Sequence, residues 1–256
     1  MCLLVLAWLS HPRYRLVVAG NRDEFHERPT AALSWWNDDP RILAGRDLRA
    51  GGTWLGLSRT GRFGTVTNVR DAEVPSPGSL SRGTLVPDFL RDASAPVTHL
   101  ERLAEAAAGH AGYNLLVGDA HSLAYHSNTR PAERRRLDPG VYGLSNHRLD
   151  EPWPKLTRTR ERFAVALESL DPSPDEFFDV LADRIPAATT EPAEVPLPPG
   201  LHQALTAPFV VHERYGTRCS TVVLVEHEGR TAVFERRYDP GGAQTGASRH
   251  EFEATP

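Results

Sequence analysis

The sequence has few of the residues on which several protein classes depend. Its 256 residues contain two cysteines, Cys2 and Cys219, too few for the disulfide framework of a small secreted protein. No apolar run approaches the roughly 18 residues that a membrane-spanning helix needs. The opening apolar run, residues 3–9, lacks the preceding basic segment of a signal peptide. These absences predict a cytoplasmic protein without an integral membrane segment.

The motifs of several well-known sites are also absent. There is no phosphate-binding GxxxxGK[ST], no strand-linked GxGxxG, no HExxH and no paired CxxC. None of the 11 histidines lies three or four positions from another, which argues against a metal site on a helix. The net charge of −4 is not that of a basic nucleic-acid-binding protein. We therefore predict no cofactor, no metal site and no nucleic-acid partner.

Apolar β-type runs and helical segments follow one another in groups along the chain. Short turns join most of the strands in pairs, which indicates antiparallel sheets with segregated helices and hence an α+β fold. The predicted strands are 3–9, 15–19, 53–58, 63–69, 113–117, 122–126, 141–144, 220–226 and 231–238. The predicted helices are 81–91, 97–108, 155–170 and 174–184.

Three further segments are predicted to lack regular structure. Residues 20–52 are interpreted as loop-rich because they contain Pro29, Pro40 and the Gly51-Gly52 pair. Five prolines make residues 186–200 a Pro-rich connection, and the polar residues 239–256 are expected to form a frayed tail. The chain as a whole, 1–256, is interpreted as a single domain.

Cys2 is the most informative residue because it directly follows the initiator Met1. Methionine aminopeptidase removes Met1 when the next residue is small. The mature chain then starts with a thiol and a free α-amino group on one residue, with ordinary pKa values of about 8.5 and about 8. N-terminal nucleophile enzymes use such a pair as nucleophile and base. On position alone, a buried structural cysteine at the start of a strand is the more common interpretation, since free cysteine is among the most buried residue types.

Polar clusters follow several of the predicted strands. Together with Cys2, these clusters resemble the NRDE family, also called the transport and Golgi organisation family. The matching segments are Met1-Cys2, Asn21-Arg22-Asp23-Glu24, Gly51-Gly52-Thr53-Trp54-Leu55-Gly56, Thr67-Asn68-Val69-Arg70, Gly143-Leu144-Ser145-Asn146 and Tyr215-Gly216-Thr217-Arg218. That family resembles the cysteine branch of the N-terminal nucleophile hydrolases, which includes penicillin V acylase and bile-salt hydrolase. The resemblance implies a four-layer αββα sandwich of two antiparallel sheets covered by helices.

The resemblance also implies a catalytic set, which falls on Cys2, Asp23, Asn68, Asn146 and Arg218. Cys2 would be the nucleophile, and Asp23 would hold its thiol and amine in place. Asn68 and Asn146 would donate to the oxyanion of a tetrahedral intermediate. Arg218 would stabilise the thiolate or fix Asp23. Buried polar groups need partners, so we expect all five residues to converge in one pocket.

One position departs from the hydrolase pattern. Those hydrolases carry an arginine three residues before the aspartate, where this chain has Gly20. The nearby Arg22 is expected to face away from that position, since neighbouring residues of a strand point to opposite sides. Arg22 is therefore assigned to substrate binding and not to the missing catalytic position. Cys219 is expected to be a reduced, structural thiol that faces away from Arg218 and forms no disulfide with Cys2.

Two classes of function remain open from the sequence. One is a cysteine amidohydrolase or acyltransferase that acts on an amide or a thioester. The other is a non-catalytic carrier of acyl-CoA lipid or haem with the same fold, as the resemblance implies through the family's links to lipid and haem handling. Either way the predicted partner is a small acyl or haem-like molecule. Trp35 and Trp36, adjacent in the loop-rich segment, are interpreted as its pocket wall or lid.

Overall fold

The structure is a computed structural model that describes residues 2–69, 80–106, 109–129, 131–187 and 200–255. Most of these residues belong to strands. The strands are β1 Cys2–Trp8, β2 Tyr14–Phe25, β3 Thr30–Trp35, β4 Ile42–Asp47, β5 Leu55–Ser58, β6 Phe63–Asn68, β7 Tyr113–Gly118, β8 Leu123–Ser127, β9 Glu133–Leu137, β10 Gly140–Leu144, β11 Tyr215–Glu226, β12 Arg230–Tyr238 and β13 Gln244–Glu253. They form a six-stranded sheet, β10-β1-β2-β11-β12-β13, and a seven-stranded sheet that runs in chain order from β3 to β9.

Helices cover the outer faces of the two sheets. They are a 3₁₀ turn at Arg82–Thr84, α1 Leu85–Arg91, α2 Pro96–Ala106, α3 Pro154–Ala166, α4 Pro174–Leu181 and α5 Leu201–Ala204. Phe163 of α3 and Phe177 of α4 pack on the six-stranded sheet, and Phe89 of α1 packs on the seven-stranded sheet. Leu6 and Leu116 belong to the core between the sheets. These three cores separate four layers, so the expected αββα sandwich is confirmed.

The central strands of the six-stranded sheet are apolar on both faces. β1 is buried from Leu3 to Trp8, with one face toward the second sheet and the other toward the helices. The sequence of a strand that is covered on both sides is a continuous apolar run, without alternating polar residues. This explains the unbroken run at the start of the sequence. No helix in the described ranges is long and apolar enough to cross a membrane.

The predicted loop-rich segment 20–52 is wrong. β2 continues to Phe25, and β3 and β4 follow it as antiparallel strands of the seven-stranded sheet. The polar end of β2 is misleading because Asn21, Arg22 and Asp23 are buried inside the sheet and not solvated. Polar composition alone does not distinguish a turn from a strand end that carries buried polar groups.

The predicted frayed tail is also wrong. Gln244–Glu253 forms β13, an edge strand that pairs antiparallel with β12. Its side chains alternate between exposed and half-buried positions, as on a strand with one solvated face. That face carries the polar residues that suggested disorder. Most of the Pro-rich connection, residues 188–199, lies outside the described residues, as do residues 107 and 108 of the second predicted helix.

A close contact between two glycines brings the 3₁₀ turn against the second sheet. The backbone N–H of Thr53 donates to Gly83 O at 3.0 Å. A Cβ atom on Gly52 would lie 2.2 Å from the same oxygen. Only glycine permits this approach without a backbone shift. The contact also determines where Arg82, the residue next to Gly83, meets the rest of the molecule.

We expect Gly52→Ala to destabilise the protein by about 1–3 kcal/mol, the usual cost of overpacking. The added methyl group would push the 3₁₀ turn away from the sheet. Urea unfolding followed by circular dichroism measures the change. Gly140→Ala is the matched control, because the nearest atom to its Cβ position is 3.5 Å away. Equal unfolding midpoints for the two variants would contradict the role of the contact.

Candidate active site

Cys2 begins β1 at one end of the six-stranded sheet. It pairs with Arg22 on the neighbouring strand β2. On its other side, the Ser145 hydroxyl donates to the backbone carbonyl of Cys2 at 3.2 Å. Cys2 is therefore held from both flanks, by β2 and by the segment that follows β10. Cys2 is half-buried, whereas Cys219 is buried.

The environment of the Cys2 thiol both opposes and favours its ionisation. Burial raises the pKa of the thiol, and the nearby Asp23 carboxylate raises it further. The positive charge of Arg22 and a hydrogen bond from the Asp23 backbone N–H act in the opposite direction and lower that pKa. The net direction is upward. The resting thiol is therefore protonated at neutral pH, and a base is needed before it can attack a carbonyl.

Asp23 is 2% exposed and is fixed at several points. The Thr217 hydroxyl donates to its Oδ1 at 2.7 Å, and the Tyr215 hydroxyl donates to its backbone carbonyl at 2.7 Å. Burial raises the pKa of the Asp23 carboxyl, while the charges of Lys155 and Arg22 and the Thr217 hydrogen bond lower it. A buried carboxyl surrounded in this way has a fixed orientation next to Cys2.

The two asparagines that the sequence identifies are hydrogen-bonded to each other. Asn146 is fully buried, and its Nδ2 donates to Asn68 Oδ1 at 2.8 Å and to the Asn68 carbonyl at 3.1 Å. Because Asn68 Oδ1 is engaged as an acceptor, the other end of that amide is available as a donor. No described residue accepts from Asn68 Nδ2. Asn146 thus fixes the orientation of the Asn68 amide, and Asn68 Nδ2 is left without a described acceptor.

A second layer of hydrogen bonds supports this segment. Tyr125 OH donates to Asn114 Oδ1 at 2.7 Å, and Asn114 Nδ2 donates to the His147 carbonyl at 2.6 Å. The Thr67 hydroxyl donates to the Ser145 carbonyl at 2.9 Å. These hydrogen bonds were not predicted from the sequence. Asn114 inside an apolar strand was the available signal, because asparagine is disfavoured in strands.

The structure corrects the expected orientation of Arg22. Gly20 pairs with Leu4 and Arg22 pairs with Cys2. The two positions are two residues apart on β2, so their side chains leave the same face of the sheet. The expectation that Arg22 faces away from the position of Gly20 is therefore wrong. Arg22 leaves the same face of the sheet as position 20 and lies directly opposite Cys2.

Arg22 is held between the two sheets and is 5% exposed. Its guanidinium lies 4.6 Å from the ring centroid of Trp54 on the second sheet. Nη2 lies 3.8 Å from a Glu24 oxygen and 3.9 Å from an Asp47 oxygen, too far for strong hydrogen bonds. Nη1 is buried and has no hydrogen-bond partner among the described residues.

Arg218 has a different position from the one expected. Its Nη1 donates to the backbone carbonyls of Phe25, His26 and Arg28, at 3.0, 3.1 and 3.2 Å. These bonds fix the loop that follows β2. The hydrogen bond to the Asp23 side chain comes instead from Thr217, and Arg22 is a guanidinium whose charge lowers the pKa of the Cys2 thiol, whereas Arg218 is not. The register of β11 shifts beside Arg218, between Thr217 and Cys219.

Comparison with known proteins gives the family. The sequence model of the family described as "Transport and Golgi organisation 2" matches residues 1–240. The chain belongs to this family. The mouse transport and Golgi organization 2 homolog is 32% identical over 260 residues, which cover 92% of each protein. The Drosophila melanogaster transport and Golgi organization protein 2 is 24% identical over 94% of this chain and 95% of its own.

Among solved structures, the C2A mutant of a conjugated bile acid hydrolase from Clostridium perfringens has a similar fold. It superposes with a TM-score of 0.52 at 8% identity, covering 99% of this chain and 92% of the hydrolase. At that identity the similarity concerns the fold alone. This member of the transport and Golgi organisation 2 family thus has the layered architecture of an N-terminal nucleophile hydrolase.

The structure places Trp35 and Trp36 away from Cys2. Trp36 is 4% exposed and packs in the outer core of the seven-stranded sheet. Trp35 contacts Phe252 edge to face, with ring centroids 5.1 Å apart. Phe252 pairs with Thr231, at the end of the six-stranded sheet opposite Cys2. Both tryptophans belong to strand β3 or its edge, so they do not form a wall of this family member's site.

Sequence motifs do not identify two further cationic residues, Lys155, whose charge acts on Asp23, and Arg82, whose charge acts on Cys2. Lys155, the only lysine, is 2% exposed at the start of α3, and its Nζ donates to the Leu205 carbonyl at 2.9 Å. Its being the one lysine of the chain is what distinguishes it in the sequence. Arg82 donates through Nη1 to the Gly112 carbonyl at 3.0 Å. Its charge also interacts with Cys2, and no sequence pattern marks it.

Cys219 is an unlinked thiol, as expected. Cys2 and Cys219 pair with Arg22 from opposite sides, which separates them by about two strand spacings, or about 10 Å. A disulfide does not span that distance. Among the described residues, no group of three His, Cys, Asp or Glu side chains is arranged to hold a metal ion.

We expect iodoacetamide to label Cys2 well before Cys219. Burial raises the pKa of both thiols, and that of Cys219 is raised well above its ordinary value, with the Glu235 carboxylate contributing. Since the thiolate reacts, labelling of Cys2 should accelerate as the pH rises from about 7 to about 9. Peptide mass spectrometry gives the site and rate. Arg22→Met should slow labelling of Cys2 at a given pH, and unchanged or faster labelling in that variant would contradict the role of Arg22.

Proposed function

We propose that this protein is an N-terminal cysteine hydrolase or acyltransferase that acts on an amide or a thioester. The observation that carries the proposal is the arrangement around Cys2. The Cys2 thiol lies beside the charge of Arg22 and a backbone N–H, and the asparagine pair leaves Asn68 Nδ2 as a donor. A nucleophile together with a preorganised donor is the minimum that acyl transfer requires. The fold shared with a conjugated bile acid hydrolase supports the same chemistry.

The proposed reaction starts after Met1 has been removed, when the α-amino group of Cys2 is free. That amine takes the thiol proton, directly or through a water, and the sulfur forms a bond to the carbonyl carbon. Asn68 Nδ2 donates to the resulting oxyanion. The intermediate collapses as the C–N or C–S bond breaks, and the leaving group departs with the proton. Water, or a second acceptor, then cleaves the acyl-Cys2 thioester and restores the thiol.

The raised pKa of the Cys2 thiol agrees with the need for a base in this scheme. An amine on the same residue has an ordinary pKa of about 8, close enough to a thiol for proton transfer near neutral pH. Asp23, fixed by Thr217, holds the geometry of that amine and favours its protonated form once the thiol has transferred its proton.

We expect Cys2→Ala to abolish turnover and Cys219→Ala to retain it. Substrates for the test are hexanoylglycine, hexanoylglycinamide and the hexanoyl thioester of N-acetylcysteamine, with release of hexanoate followed by mass spectrometry. Trapping of a hexanoyl group on the peptide that contains Cys2 would identify the intermediate. Turnover that persists in Cys2→Ala would refute the nucleophile assignment.

The intact mass of the purified protein tests whether Met1 has been removed and the α-amino group of Cys2 is free to act as the base. Loss of the Met1 mass is required, because a retained Met1 leaves no free amine on Cys2. The carrier alternative predicts a different result: no turnover of amide, ester or thioester by the wild type, together with stoichiometric binding of an acyl-CoA or haem. That result would replace the hydrolase proposal.

We expect Asn68→Ala to lower kcat about 10²- to 10³-fold, because one oxyanion donor is removed. KM should change little, since the donor acts mainly on the charge of the transition state. Steady-state kinetics with the substrate that the wild type turns over best gives both constants. Asn37→Ala, an exposed position, is the matched control. A loss confined to KM would assign Asn68 to substrate binding instead.

A further inference from the structure

Four arginines and two carboxylates surround the half-buried Cys2 and the end of β2. Arg22 and Arg28 share the carboxylates of Glu24 and Asp47. The closest of these ion pairs joins Arg28 to Asp47, with Arg28 Nε 2.5 Å from Asp47 Oδ2. Both distances from Arg22 to these carboxylates are 3.8 Å or more, so the anionic partners of the cluster are directed mainly toward Arg28.

The remaining cations have fewer anionic partners. Arg82 and Arg218 bind backbone carbonyls, which are neutral acceptors. Burial and the positive charge of Arg22 lower the pKa of Arg218. Burial and the positive charge of Arg28 lower the pKa of Arg82. Lys155 and Asp23 add one charge of each sign, so five cationic side chains against three carboxylates leave an excess of two at this end of the sandwich. Such like-charge crowding in a partly buried site is unfavourable unless an anion joins it.

Arg22 offers a donor for that anion. Its Nη1 is buried on a side chain that is 5% exposed, and no described residue accepts a hydrogen bond from it. Buried guanidinium donors without an acceptor are costly and uncommon. The stacking of Arg22 on Trp54 fixes the plane of the guanidinium, so its donors cannot easily turn back to solvent. The charge of Arg82 also acts on Cys2, and the contact between Gly52 and Gly83 positions the 3₁₀ turn that carries Arg82.

We propose that Arg22 and Arg82 form an anion-binding subsite beside Cys2, and that the substrate carries a carboxylate or phosphate group close to its scissile carbonyl. Guanidinium groups suit both anions because their planar donors pair with two oxygens. The inference rests on the proposed function for the role of Cys2, and it adds the class of substrate. Amides and thioesters whose leaving group is acidic are favoured over neutral ones of the same length.

Binding to the Cys2→Ala protein tests the subsite without turnover. The probes are hexanoylglycine, its neutral analogue hexanoylglycinamide, and hexanoyl phosphoethanolamine, measured by isothermal titration calorimetry. We expect each anionic probe to bind about tenfold or more tightly than the amide, and this preference to shrink as salt is added. The stronger of the two anionic probes distinguishes a carboxylate from a phosphate substrate.

The arginine variants then locate the preference. Arg22→Met and Arg82→Met, each in the Cys2→Ala background, should lose it, and Arg22→Lys should keep part of it. Arg59→Met is the matched control, because Arg59 stacks on Trp35 at 4.0 Å just as Arg22 stacks on Trp54. Arg59 follows the last residue of β5 and Trp54 precedes the first, so the two stacks lie at opposite ends of that strand.

Three results would overturn the subsite: equal affinities for hexanoylglycine and hexanoylglycinamide, a preference that survives in both methionine variants, or no binding of either anion at millimolar concentration. Circular dichroism tests whether each variant is folded. If Arg22→Met is unfolded, Arg82→Met alone tests the subsite. Turnover by the wild type is scored separately. A protein that prefers anions but hydrolyses none of the probes would retain the subsite and lose the proposed function.

Discussion

The pairing of β1 with β2 is the constraint on which the site depends. These two strands lie inside the six-stranded sheet, flanked by β10 and β11. Their register sets Cys2 opposite Arg22 and brings the Asp23 backbone N–H to the Cys2 sulfur. A slip of β2 by one residue would turn Arg22 to the opposite face of the sheet, away from Trp54 and the second sheet. The apolar cores on both sides of β1 therefore fix the chemistry as well as the fold.

Buried polar groups at this end of the sandwich are supported by hydrogen bonds from several strands. Thr217 fixes Asp23, Asn146 fixes Asn68, and the Asn114 amide links Tyr125 to the segment after β10. Each bond has a modest net value, about 1 kcal/mol, but loss of any partner would leave a buried group unsatisfied at a higher cost. The arrangement is therefore rigid at the positions that would surround a reacting carbonyl.

The buried charges work against stability in the same region. Asp23, Lys155 and Arg22 are all at least nine-tenths buried, and desolvation of such groups is costly even when they attract one another. An apolar core of the same volume would be a simpler way to stabilise the fold. Polar groups gathered at this cost mark a functional site more reliably than composition does.

The sequence by itself determined the α+β class, most of the strands, the family resemblance and the positions of Cys2, Asp23 and the asparagine pair. These features are local or follow from motifs, so spacing and residue type are sufficient to find them. Four strands, β3, β4, β9 and β13, were missed. β9 and β13 have polar faces, which resemble loops until their partners are known, and β3 and β4 lie in a segment whose prolines and glycines indicated a loop.

Only the tertiary structure decided which guanidinium acts on Cys2. Strand register places Arg22, and not Arg218, opposite Cys2. A contact between two glycines positions the 3₁₀ turn that carries Arg82. The reason is physical. Electrostatic interactions depend on distance and burial across layers, and residues far apart in the chain acquire both only when the sheets pack.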